Sequence, residues 1–149
     1  MRSVVQRVDK ARVLIGDQVI SEIGRGLLVL LGIEQGDREI DADYLSNKII
    51  HLRIFEDESR KMNLSLLDIQ GSLMVISQFT LLGDCRKGRR PSFTGAENPD
   101  LARLLYDYFI QKAKNIIGNV VQGKYQAMMS LDLVNNGPVT MLLDSKRIF

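Results

Sequence analysis

From Leu27 to Ile33, inside GRGLLVLLGI, the chain carries a nearly continuous apolar run. A strand with one face in water alternates apolar and polar residues. A run without that alternation suits a strand buried on both faces. SLMVISQFTLL, Ser72 to Leu82, reads as another strong strand. Such strands need cover on both sides, from helices or from the sheet curving round on itself.

The remaining segments offer that cover. SVVQRV and ARVLIG read as two strands joined by Asp9 and Lys10, and VISEI follows the turn signal GDQ as a further short strand. Asp37 can cap a helix through REIDADYLSNKIIHL, where Ile40, Tyr44, Leu45, Ile49 and Leu52 fall near helical spacing. RIFEDESRKMNLSLLDIQG reads as a short strand, a charged connector and an irregular segment ending at Gly71. Pro99 sits where a first helical residue belongs, and Leu101, Leu104, Leu105, Tyr108 and Phe109 form the apolar stripe of a long helix. NVVQGKYQAMMSLDLV and PVTMLLDS close the chain as strands, with NNGP between them carrying the chemistry of a hairpin turn. Asn135, Asn136 and Gly137 suffice for that turn, so Pro138 is an oddity: it removes a donor at the mouth of a strand. With roughly seven strands and two helices, no repeat and no linker, residues 1–149 are expected to form one α/β domain of the α+β kind. Its sheet should be curved, mostly antiparallel or mixed, or closed into a barrel, and covered by helices. The alternating βαβα order of a doubly wound fold is absent.

The side-chain inventory excludes much chemistry. Cys85 is the only cysteine and His51 the only histidine, so there is no intramolecular disulfide, and a reducing compartment fits. A Ser-His-Asp or Cys-His machine would have to run through His51, which reads instead as a partly buried residue near a helix end. Zinc lacks ligands, IEQGDREIDAD lacks calcium-loop spacing, and there is no Walker loop or dinucleotide fingerprint. No metal and no cofactor are expected. No apolar run reaches signal-peptide or membrane-spanning length, so a cytoplasmic protein without a membrane partner is expected. Net charge is only +2, and any nucleic-acid affinity must come from a local patch.

Two features remain. Ser77, Gln78, Phe79 and Thr80 lie where an apolar strand runs out; they read either as a polar strand end or as hydroxyls and backbone N–H groups presented to a ligand. Arg86, Lys87, Arg89 and Arg90 crowd around Gly88, with Phe93 just beyond; they read either as a solvated loop or as an anion-binding one, Phe93 packing near a base. Together they suggest a substrate with phosphates and a reactive group nearby.

With MRSVVQRV and GRGLLVLLGI at the front, KMNLSL in the connector, SQFTL and KGRRPSF in the middle and NNGPVT near the end, the chain resembles the bacterial-type D-aminoacyl-tRNA deacylases nearly end to end. The resemblance implies hydrolysis of the ester that joins a D-amino acid to the 3′ end of tRNA. It also implies a homodimer with shared active sites at the interface, each built from one subunit's Ser77–Thr80 and the other's Gly137 and Pro138. In the family that Gly-Pro bond is cis; its carbonyls capture the α-amino group of the D-aminoacyl ester, and the Cβ of an L-residue would clash with this backbone. By position, backbone N–H groups of Ser77 to Thr80 would face the ester carbonyl, and the terminal ribose hydroxyl would assist the attacking water. Thr80 as covalent nucleophile is the rival. Arg7 would hold the Gly-Pro carbonyls, and Tyr125 and Met129 would lie near the terminal adenosine.

The chain departs from the family pattern at Tyr125, Gln126 and Ala127, where Phe-Gly-Ala is expected, and at Asn136, where Asp is common. An achiral glycyl ester should pass a filter that works on Cβ, which makes glycyl-tRNA a secondary substrate. Two other classes compete: a non-catalytic nucleic-acid-binding protein using loop 86–90, and a hydrolase of free D-amino-acid esters or peptides. The first has no use for SQFT and Gly-Pro, and the second none for the basic loop.

Overall fold

The long strand β1, Arg2–Ile15, organises the fold. A computed structural model describes residues 1–148. After β1 come β2 (Gln18–Ile23), β3 (Gly26–Gly32), α1 (Glu39–Ile50), β4 (Phe55–Glu56), β5 (Met62–Leu64), β6 (Ser72–Ser77), α2 (Pro99–Ile116), β7 (Val120–Gln122) and β8 (Ser130–Asp144). On one edge, β1 pairs antiparallel with β3 along Arg2–Val8 and with β2 along Ala11–Ile15. Since the same residues also pair with β8, β8 occupies the opposite edge. From β3 the sheet continues through β6 to β7, both steps parallel. Curvature brings β2 within reach of β6 and β7, so the mixed sheet is nearly closed, and β4–β5 form a small separate ribbon.

Both faces of the central strands are buried, as the unbroken apolar runs require. Leu27, Val29 and Leu31 of β3 and Leu73 and Val75 of β6 face one cluster, with Leu45 and Ile49 of α1 and Tyr106 and Phe109 of α2. The alternate residues Leu28, Met74 and Ile76 point inside the curved sheet, toward Val8, Val13 and Ile23. The helices cover one face and the sheet covers the other with itself.

Several sequence expectations are corrected. Asp9 and Lys10 do not separate two strands: β1 runs through them, and only its register against β8 shifts between Val8 and Lys10. NNGP is not a reversal either. It lies inside β8 as a four-residue bulge: Gln6 pairs with Thr140 and Val8 with Asn135, so Asn136 to Val139 stand opposite Arg7 alone. A partner as long as β1 keeps the segment on course, and the donor that Pro138 lacks falls where no rung is made. NVVQGKYQAMMSLDLV breaks into β7 and the start of β8, with 123–129 irregular between them.

The helices differ in detail as well. Asp37 does not cap α1; its carboxylate takes the Met1 ammonium at 2.7 Å and the Glu34 N–H at 2.7 Å. Asp41 secures the helix entrance by accepting from Arg38 N–H at 2.9 Å, and Ile40 is exposed. In α2, Pro99 is at the start as expected, after the Asn98 cap, whose side chain accepts from Asp100 N–H at 3.0 Å. The buried stripe, however, is Ala102, Tyr106, Phe109, Ile110 and Ala113, and Leu101 and Leu104 are 53% and 66% exposed. The small Ala102 and Ala113 let α2 approach its neighbours closely, which a leucine stripe would prevent.

Candidate active site

The turn at the end of β6 begins where its ladder with β3 stops. Leu31 and Ser77 are the last partners, and Gln78 N–H still reaches Leu31 O at 2.8 Å. The chain then tightens into a 3₁₀ turn over Phe79–Leu82, so the strand expected to run to Leu82 ends at Ser77. Gly32 makes room for this turn: a Cβ there would lie 2.5 Å from Leu82 Cδ2 and 3.0 Å from Gln78 O.

Beside the turn opens a cavity of about 1120 Å³. Ser77, Gln78, Phe79 and Phe93 form one wall, Tyr125 and Met129 from the irregular segment 123–129 form another, and residues 96–99 ahead of α2 form a third. Phe79 and Phe93 meet edge to face with centroids 5.1 Å apart. Thr80 is exposed next to this wall, and its hydroxyl accepts a hydrogen bond from the Gln78 side-chain amide. Tyr125 donates its hydroxyl to Pro99 O at 2.9 Å, which ties the second wall to the third. Behind it, the buried Tyr106 donates to Val75 O at 2.8 Å, and burial pushes the Tyr106 hydroxyl pKa well above the usual phenolic range. Gln126 stands at φ +59°, in the left-handed region. That conformation favours glycine; glutamine holds it at a cost on the order of 1 kcal/mol.

The cavity offers donors and apolar walls but little acid–base chemistry. Glu97, on its lining, is engaged by the backbone N–H groups of Gly36 at 3.1 Å and Asn98 at 2.8 Å. His51 is at the far end of α1, exposed rather than partly buried, with its ring nitrogen 2.8 Å from Asn47 O. Cys85 is exposed on the basic loop. Among the described residues no three His, Cys, Asp or Glu side chains are grouped to hold a metal ion.

Arg7, Gly137 and Pro138 form a second cluster outside this cavity. Arg7 is 5% exposed, and its guanidinium donates to Ile54 O at 2.6 Å and Asn136 O at 3.3 Å. Asn135 braces the bulge by donating to Arg7 O at 3.3 Å and Val139 O at 3.0 Å. Asn136, the departure from Asp, donates to Asp9 Oδ1 at 2.8 Å, an interaction an aspartate could not make at neutral pH. The Gly137–Pro138 bond is cis, and both residues are exposed. The basic residues Arg86, Lys87, Arg89 and Arg90 are exposed on a loop closed at its base by Asp84 and Ser92, paired through backbone hydrogen bonds of 2.7 and 3.0 Å.

Sequence reasoning missed the third wall. Pro99 reads in the sequence only as a helix start, whereas Glu97, Asn98 and Pro99 all line the cavity. Their part is played largely by backbone and by position, which composition does not signal. Tyr106 was missed because a stripe of leucines drew attention to the neighbouring face of α2.

The sequence profile of the D-Tyr-tRNA(Tyr) deacylase family matches residues 4–144. A D-aminoacyl-tRNA deacylase of Syntrophus aciditrophicus (strain SB) is 62% identical over 149 residues, covering 100% of both chains. One from Clostridioides difficile (strain 630) is 54% identical, also over 100% of both. Among solved structures, one described as a c-Myc DNA Unwinding Element Binding Protein superposes with a TM-score of 0.92 at 39% identity, covering 97% of this chain and 98% of that one. A probable eukaryotic D-amino acid tRNA deacylase shares the fold, with a TM-score of 0.80 at 18% identity over 96% and 98% of the two chains.

Proposed function

The chain belongs to the D-Tyr-tRNA(Tyr) deacylase family, and on that premise we propose how its residues carry out the reaction. The protein is a hydrolase that cleaves the ester between a D-amino acid and tRNA. The observation that carries the mechanism is the cavity itself: Ser77, Gln78 and Phe79 converge there with Tyr125 and Met129, and no free side-chain base stands among them. An aminoacyl ester is already activated, so the site has to bind, orient and stabilise charge. Water adds to the ester carbonyl, the bond to the ribose oxygen breaks, and backbone N–H groups of the turn after β6 hold the oxyanion. One preformed donor of this kind is worth on the order of 3 kcal/mol. The ribose hydroxyl next to the ester assists the attacking water, and Tyr125 and Met129 pack against the terminal adenosine.

Gly137 and Pro138 complete the site of a second protomer. They are exposed and lie away from their own cavity, with Arg7 behind them. β8 has no strand partner on its outer edge among the described residues, and Val134, Met141 and Leu142 are exposed along it. A long apolar edge of this kind favours a partner, which supports the homodimer. The carbonyls of the Gly-Pro pair take the substrate α-amino group, and the backbone leaves no space for the Cβ of an L-residue. Glycyl-tRNA passes the same filter. A tRNA substrate assigns the work to the cytoplasm; no helix among the described residues is long and apolar enough to cross a membrane. A purely nucleic-acid-binding role for loop 86–90 would leave the cavity unused.

The deciding measurement follows the loss of ester from D-tyrosyl-tRNA and L-tyrosyl-tRNA in parallel. The D-ester is expected to be cleaved faster by more than about a hundredfold, since a backbone clash discriminates beyond the reach of a soft pocket. Equal rates, or no hydrolysis of either, would overturn the reading. Thr80→Ala is expected to keep activity within about tenfold of wild type, because the Thr80 oxygen accepts from Gln78 and no base stands ready to take its proton. Near-complete loss with substrate binding intact would make Thr80 the nucleophile instead.

A further inference from the structure

The four cations of the basic loop differ in what they are free to bind. Arg86 is committed to Asp84: its backbone N–H donates to Oδ1 at 3.0 Å, Nε to Oδ1 at 2.9 Å and Nη2 to Oδ2 at 2.7 Å. These side-chain and backbone hydrogen bonds hold the Asp84 carboxyl well below the usual carboxylate range. Asp84 is also the residue whose backbone pairs with Ser92. Arg86 therefore closes the loop at its base, with the Nε–Nη2 edge of its guanidinium spent on Asp84. Lys87, Arg89 and Arg90 have no ion-pair partner among the described residues. Gly88, at φ +73° with open space around its Cα, turns the chain between Lys87 and Arg89.

The loop is fastened to the catalytic turn. Ser92 ends the backbone bridge, and the next residue, Phe93, lies edge-on to Phe79 at 5.1 Å. The Phe93 ring fills the place a side chain on Gly83 would take, its Cε1 being 3.0 Å from that ideal Cβ position. Phe79 and Phe93 both line the cavity. Three unpaired cations thus stand on a closed loop at the rim of a site that takes the 3′ end of an RNA, and RNA leaving such a cavity presents phosphates at its rim.

We infer that Lys87, Arg89 and Arg90 grip phosphodiesters of the RNA outside the cavity, while Arg86 is a structural clamp that contacts no phosphate. The inference rests on the tRNA-deacylase reading and adds a division of labour within the loop. The enzyme thereby recognises its ester as part of a polyanion, and affinity for the RNA carries a salt dependence set by three side chains.

The test measures binding of full-length uncharged tRNA by fluorescence anisotropy over a series of KCl concentrations. Lys87→Ala, Arg89→Ala and Arg90→Ala are each expected to lower the slope of log K against log[salt] by about 0.7–0.9, and the triple variant by about 2–3. Arg86→Ala is expected to weaken binding at every salt concentration, through a looser loop, with the wild-type slope retained. A fall in slope for Arg86→Ala equal to that of the other three, or a wild-type slope in the triple variant, overturns the inference. Because the ligand carries no ester, the slopes are read without catalysis. Unchanged slopes beside intact D-selective hydrolysis refute the division of labour alone, whereas absent hydrolysis refutes the enzymatic reading.

Discussion

Gly137→Ala is expected to lower kcat/KM for D-tyrosyl-tRNA by about a hundredfold or more, while the protein stays folded. Gly137 has φ +119°, which L side chains rarely adopt; holding alanine there costs on the order of 1–3 kcal/mol. The added Cβ would also lie 2.7 Å from Val139 Cγ2 and 2.9 Å from Arg7 Nη2. Neither neighbour yields easily. Val139 is buried in the core, and Arg7 is held at 2.6 Å by Ile54 O. The bulge itself must shift, carrying the exposed Gly-Pro pair with it. A displacement of roughly 1 Å in a group that positions substrate is enough for a hundredfold loss. Thermal melts measured beside the hydrolysis rates separate the two possible roles. If the bulge matters only to its own strand, activity will follow the fraction folded. If Gly137 and Pro138 serve the neighbouring site, activity will collapse in a protein that still melts cooperatively. Wild-type turnover by the variant would defeat the cross-subunit role.

The contrast between NNGP and SQFT shows which parts of the molecule could be read in advance. The double-sided burial of β3 and β6 is written in their composition, because a strand with one face in water would interrupt the runs Leu27–Leu31 and Leu73–Ile76 with polar residues. The end of β6 was legible only in part: the polar Ser77 and Gln78 mark it, yet the reading as a strand ran on to Leu82. NNGP was misread because hairpin turns and strand bulges draw on the same residues. What separates them is the length of the opposing strand, and β1 had been divided at Asp9 and Lys10. The two errors were one error: a continuous β1 makes a turn at NNGP unnecessary. In α2, residues 102, 106, 109, 110 and 113 have helical spacing as good as that of the leucines one step away. Burial went to the face with alanines at its ends and a tyrosine hydroxyl that reaches Val75 O.

The site was legible where side chains mark it and opaque where backbone builds it. Phe93, Tyr125 and Met129 come together on the cavity with Ser77, Gln78 and Phe79 although up to about fifty residues separate them. The spacing of Asp84 and Arg86 was visible throughout, yet a run of four cations hid the one already neutralised. Counting charges overstates a patch unless each cation is first checked for a carboxylate within reach.

Gly26→Ala is expected to be the most damaging single substitution in the fold. An ideal Cβ at Gly26 would lie 1.9 Å from Ser72 O, 2.8 Å from Ser72 C and 2.9 Å from Ser72 N. All three are backbone atoms of the strand paired with it, Gly26 opposite Ser72 at the first rung of β3–β6. No rotamer change relieves such a contact. The strands must separate, and the rungs that follow, from Leu27 with Leu73 to Leu31 with Ser77, lie between both core clusters. The loss is expected to exceed about 4 kcal/mol, a large share of the roughly 5–15 kcal/mol that holds a domain together. Gly24→Ala is the matched control. Two residues earlier and outside β3, it has nothing within 4 Å of its Cβ position, so its change should stay within about 1 kcal/mol. Urea denaturation of the two variants reads the difference directly, and equal midpoints would show that β3 and β6 can part without cost. The same pairing sets the position of Ser77, the last rung before the turn that lines the cavity. Any Gly26→Ala protein that remains folded at low temperature should therefore hydrolyse D-tyrosyl-tRNA more slowly than its folded fraction predicts.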